Sequence, residues 1–211
     1  MKKILTICIL ILTLVITAGC STEGRGGQDE DRDKIEVPEL KSEIIHGDDE
    51  ILTYELPEYL MLTNGFDTPE EWAEDWSDEE ANPNQKYFNS VVPNDKGGIT
   101  VTTTGKKLER NKKQHYDQLV GFVNKTKEDE DITVTINNDY SEVIIEFDED
   151  TTSWESMYTH ATIVPLVVLL RIYNDKEDWR FHLVIKKGGE NLLDIQDPSQ
   201  DWSIPGSKFK E

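Results

Sequence analysis

The stretch ITVTINNDYSEVIIEF at residues 132–147, with SWESMYTHATIVPLVVLLRIY at 153–173 shortly after it, decides the fold. Ile132, Val134 and Ile136 alternate with threonines, and Val143, Ile145 and Phe147 repeat the two-residue period. Asn137-Asn138-Asp139 between them is turn chemistry, so the two runs read as a β-hairpin. Thr152 and Glu155 then form a capping box, and Trp154, Tyr158, Ala161, Pro165, Val168 and Ile172 recur at helical spacing. Pro165 leaves two readings there. One, the preferred, is a helix kinked at the proline; the other is a helix to Thr162 followed by a strand from Leu166 to Tyr173.

Working outward, Ile99–Thr104 is a β-branched strand, and residues 106–126 carry Leu108, Tyr116, Leu119, Val120 and Val123 on one helical face. Downstream, Trp179–Ile185, a Lys187-Gly188-Gly189 turn and Leu192–Ile195 form a second hairpin. The order is β-α-β-β-α-β-β. It predicts an α+β domain in the ferredoxin-like β-α-β-β-α-β order plus an extra C-terminal hairpin strand, an antiparallel sheet with two helices on one face. The apolar run Ala161–Leu170 is too short to span a bilayer and becomes the centre of the core.

Residues 51–90 form an acidic strap. Thr68 caps a short helix with Pro69 at its first position and Glu71 closing a capping box, and Trp72 and Trp76 follow one turn apart. So short a helix is unstable alone, so its tryptophans must pack either on the following domain or on a partner. Packing on their own domain is the preferred reading, and on the other Trp72 and Trp76 are the candidate interaction surface.

Over 211 residues, 43 Asp and Glu face 22 Lys and Arg, a net charge of −21. That charge argues against nucleic acid as a partner. The apolar share is 36% and the mean hydropathy −0.59, low enough that part of the chain stays outside any core. Residues 20–50, rich in Gly and charge with almost no aromatic side chain, read as an acidic disordered tether. Residues 91–211 form the small α+β domain.

The chain opens MKKILTICILILTLVITAGC. Lys2 and Lys3 are a positive n-region, Ile4–Ile16 an apolar h-region, and small residues lead to Cys20, so residues 1–19 read as a signal peptide. Thr17-Ala18-Gly19-Cys20 resembles the lipobox of bacterial lipoproteins. The resemblance implies diacylglyceryl attachment to the Cys20 thiol, cleavage just before it, and a protein anchored on the extracytoplasmic face of the cell membrane. Cleavage would remove Cys8 and leave no internal disulfide. The Ile- and Lys-rich style resembles secreted lipoproteins of Gram-positive bacteria. So does the layout over roughly 98–195, with its Asp139-Tyr140-Ser141 turn; that group implies fold and location and no reaction.

No catalytic, cofactor or metal motif is present. G-x-S-x-G, H-E-x-x-H and a P-loop are missing, and Thr104-Gly105-Lys106-Lys107 lacks the P-loop spacing. Of four histidines, His46 falls in the tether, His115 and His160 on helices, and His182 on the strand face turned from the core. Lys106, Lys107, Arg110, Lys112 and Lys113 form one basic cluster, read as complementing the acidic strap. The expectation is a non-catalytic, lipid-anchored binding or interaction module of unknown ligand, with an envelope protein as the candidate partner. The alternative is an anchored regulator of an envelope complex, such as an exclusion, immunity or assembly factor. An envelope enzyme using carboxylates with His182 or His160 is the third reading.

Overall fold

The computed structural model describes residues 37–78, 85–128, 131–200 and 202–209. The described residues form a mixed α+β fold with a three-stranded sheet, a four-stranded sheet and four α-helices. Strands β1 (Ile51–Leu56), β2 (Ser90–Pro93) and β3 (Ile99–Thr104) form the first sheet in the order β1-β3-β2, antiparallel throughout. Helices α1 (Glu58–Thr63) and α2 (Pro69–Ser77) connect β1 towards β2, and α3 (Gly105–Glu128) follows β3 without a linker. The second sheet runs β4-β5-β6-β7, from β4 (Ile132–Ile136), β5 (Glu142–Phe147), β6 (His182–Lys187) and β7 (Glu190–Ile195). Helix α4 (Ser153–Tyr173) joins β5 to β6.

The hairpins and long helices lie where the sequence pattern puts them, but the single ferredoxin-like sheet does not form. Ile99–Thr104 has both edges occupied, by Ile51–Leu56 and by Ser90–Pro93, so no edge of it is left for the second sheet. Leu52, Tyr54 and Leu56 alternate inward on β1 and require a partner strand, which β3 supplies. The second sheet is also not wholly antiparallel. β5 and β6 pair in parallel, as a helical crossover of α4's length permits.

Helix α4 runs unbroken through Pro165, so the helix-plus-strand alternative is not what forms. Its capping box at Thr152 and Glu155 is complete. It is the one described helix long and apolar enough to cross a membrane, and most of its apolar window is buried inside the domain. Ile163, Val164, Val167 and Leu170 pack into one core with Val134, Val143, Ile145, Leu183 and Ile185 of the sheet and Leu119 and Val123 of α3. Trp154, by contrast, is half exposed and not a core residue.

Trp72 and Trp76 belong to that same core. Trp72 is fully buried, stacked at 6.4 Å on Phe66, and Trp76 stacks at 5.4 Å on Phe88. They offer no interaction surface: an exposed Trp pair would leave a large apolar area in water, and β2 and Phe88 lie within reach to cover it. The 51–77 part of the acidic strap is thus integral to the fold.

Candidate functional site

Residues 37–50, expected to be tether, are laid along the domain and fastened to it; this leading segment overturns that part of the reading, while Cys20 and residues 21–36 lie outside the described residues. Val37 and Leu40 are buried in the core. The Tyr116 hydroxyl donates to the Val37 carbonyl at 2.9 Å, and the Tyr140 hydroxyl to the Pro38 carbonyl at 2.6 Å. Further on, Asp175 gathers three donors. Ser42 Oγ lies 2.8 Å and His46 Nε2 3.0 Å from its Oδ2, and the Tyr54 hydroxyl donates to Oδ1 at 3.0 Å. The Gly105 and Lys106 amides donate to the Glu50 and Asp48 carbonyls, closing the segment onto the start of α3. Burial, and next the Asp175 carboxylate, hold the Tyr54 hydroxyl far above the ordinary phenol range, so it remains a donor.

Among the described residues, two other than glycine adopt a left-handed backbone, Tyr140 at φ 58° and Asp175 at φ 57°. Both carry side chains that grip the leading segment. Asp175 follows Asn174 at the C-cap of α4: its amide donates to Ile172 O and that of Lys176 to Arg171 O, a Schellman closure where glycine is the usual occupant. A non-glycine residue there costs about 1 kcal/mol. The carboxylate that glycine lacks is what holds Ser42, His46 and Tyr54. Arg171 braces the same end from within, donating to the Asp139 carbonyl at 2.9 Å and twice to the Asp178 carbonyl.

Ser42, His46 and Asp175 do not form a hydrolytic triad. Ser42 and His46 both turn to one carboxylate oxygen, so the hydroxyl donates to Asp175 and has no imidazole to take its proton. The arrangement fastens chain.

Elsewhere, His182 stands on the open face of the second sheet between two carboxylates, Nδ1 at 3.0 Å from Glu142 and Nε2 at 2.8 Å from Asp194. The hydrogen bond to Asp194, then that to Glu142, raises its pKa. With both nitrogens engaged it is a surface ion-pair centre. His160 is packed at 5.0 Å against Trp202, and burial lowers its pKa to about 4. His115 is stacked on Tyr173 and lowered likewise to about 4 by burial. Of the two histidines named as acid–base candidates, His182 stands beside carboxylates, on the sheet surface, and His160 is packed against Trp202 instead.

Two hollows, of about 480 and 600 Å³, are lined chiefly by acidic and other polar residues, and neither lining includes a histidine. Among the described residues no group of three or more His, Cys, Asp and Glu is arranged to hold a metal ion. In the basic cluster, Lys107 reaches the Phe88 carbonyl and Asn89, Lys112 reaches Glu109, and Lys113 reaches Asp117. Compared with protein-family models, curated proteins and solved structures, the chain matches none.

Proposed function

We propose that the chain is a lipoprotein held by Cys20 on the extracytoplasmic face of the cell membrane, and that its domain is a non-catalytic binding module for an envelope protein. The n-region, h-region and Thr17-Ala18-Gly19-Cys20 support the anchor. The observation that carries the module reading is the fastening of the leading segment. Two backbone positions bear left-handed conformations at the residues that grip it, and such strain persists where an arrangement is used.

The consequence is a short leash. About 17 residues separate Cys20 from Val37, a contour of about 60 Å, so the domain stays within about that distance of the bilayer. A membrane-proximal domain raises the effective concentration of any partner in the same membrane. The test is crosslinking of the full-length protein in cells with mass spectrometry of what it carries. A stoichiometric envelope protein that disappears with Cys20→Ala, while the domain still folds, is the expected result. An anchored, folded protein with no partner above background would overturn the binding-module reading.

A further inference from the structure

The first half of α4 carries an apolar face that the described residues leave partly exposed. Trp154, Met157, Tyr158, Ala161 and Pro165 fall at successive helical turns, opposite Ser156, Thr159, Ile163 and Val167 of the buried face. Trp154 is 50% and Met157 45% exposed. The stripe has aromatic flanks, since Tyr158 touches Phe122 of α3 at 5.6 Å and His160 touches Trp202 of the C-terminal tail. A large tryptophan and a methionine half in water on one stripe are the residue types that anchor protein contacts.

Its surroundings state the partner's charge. Asp148, Glu149 and Asp150 lead into the helix and Glu155 lies beside Trp154, while the stripe itself has no charged residue. Lys187 is committed to the Thr151 carbonyl and the Phe209 ring, and Lys125 of α3 is exposed. A second copy of a chain with net charge −21 is repelled, and an anionic membrane surface is repelled by the same carboxylates. Position agrees. The helix is about 30 Å long, and its other end is where Asp175 holds the leading segment, so Trp154 stands at the end of α4 remote from that fastening.

We infer that the Trp154–Pro165 stripe of α4 docks a cationic amphipathic segment of another protein, its apolar side chains on the stripe and its Lys and Arg towards Asp148–Asp150 and Glu155. This rests on the binding-module reading and names the partner's chemistry. The mode is a helix or extended segment laid along an apolar helix face, with anchors at helical spacing.

The test uses the full-length lipoprotein in nanodiscs and an 18-residue Leu/Lys amphipathic peptide, with a Leu/Glu peptide of the same pattern beside it. The Leu/Lys peptide should bind, and Trp154→Ala and Met157→Ala should each weaken it by about tenfold with an unchanged melting temperature. The Leu/Glu peptide should show no binding. Equal affinity in wild type and both variants means adsorption by charge alone and overturns the inference. In cells, a photo-crosslinking side chain replacing Trp154 should mark a Lys/Arg-rich segment of one protein. Crosslinks to lipid or to a second copy would overturn it. Crosslinks only from the same probe at Thr135, on the open sheet face, would remove this surface and leave the module reading standing. None from either position would remove both.

Discussion

Replacing Asp175 by alanine should unfasten the leading segment. The carboxylate is 14% exposed and its partner His46 9%, so most of its hydrogen bonding is to protein. Three bonds are lost, from Ser42, His46 and Tyr54. At about 1 kcal/mol each, and somewhat more for a charged acceptor, the loss is about 3–4 kcal/mol. Alanine also keeps the φ 57° backbone with nothing to offset it. Asp175→Gly loses the same bonds but relieves the backbone, so it should be about 1 kcal/mol milder. Asp175→Asn keeps one acceptor and a residue tolerant of that conformation, and should be the mildest of the three. Urea unfolding followed by tryptophan fluorescence gives the free energies. Hydrogen exchange over residues 41–50 should rise sharply in the alanine variant, beginning with the Ile44 amide held by Ser42. Asp175→Ala within about 0.5 kcal/mol of wild type, or an unfolding loss with unchanged exchange over 41–50, would refute the reasoning.

Gly105→Ala should destabilise by more than about 2 kcal/mol in the same assay, because a Cβ there would overlap the Gly47 carbonyl, which is backbone and cannot swing aside. Arg171→Lys should cost about 2–3 kcal/mol, since one ammonium cannot span the Asp139 and Asp178 carbonyls that the guanidinium joins. Stability should fall as pH drops from 6.5 towards 4. His115 and His160 stay neutral in the folded state to about pH 4, while the unfolded chain takes up protons from about 6.5, which costs up to about 3 kcal/mol each. His182 acts in the opposite sense: its raised pKa contributes stability that is fully present below 6.5 and fades as pH rises through the folded value. It is solvent-screened and smaller, so the net slope is downward, and His115→Gln should flatten it in denaturant melts between pH 7.5 and 4.5.

What the sequence shows is what side-chain periodicity encodes. The hairpin at 132–147 alternates in the pattern its burial later follows, and the Thr152 capping box opens α4 where the motif stands. At Pro165 the packing of Ile163, Val164, Val167 and Val168 outweighs the lost helical bond. Leu52, Tyr54 and Leu56 also alternate, but acidic neighbours and Pro57 make the stretch read as a strap, and pairing with β3 is a long-range choice that local pattern does not state. The leading segment is less legible still. Its fastening runs through the Val37 and Pro38 carbonyls, which no residue type signals, and through Asp175, 129 positions from His46. Trp72 and Trp76 show in the sequence as aromatics that need cover, and what covers them, Phe66 and Phe88, lies outside their helix.

The most direct test of the account is the mass of the N-terminal peptide of the full-length protein extracted from membranes of the cells that make it. The account predicts a peptide that begins at Cys20 and carries a thioether-linked diacylglycerol. An unmodified Cys20, or a mature chain beginning elsewhere, would contradict it, because the leading segment would then have no anchor to hold the domain against.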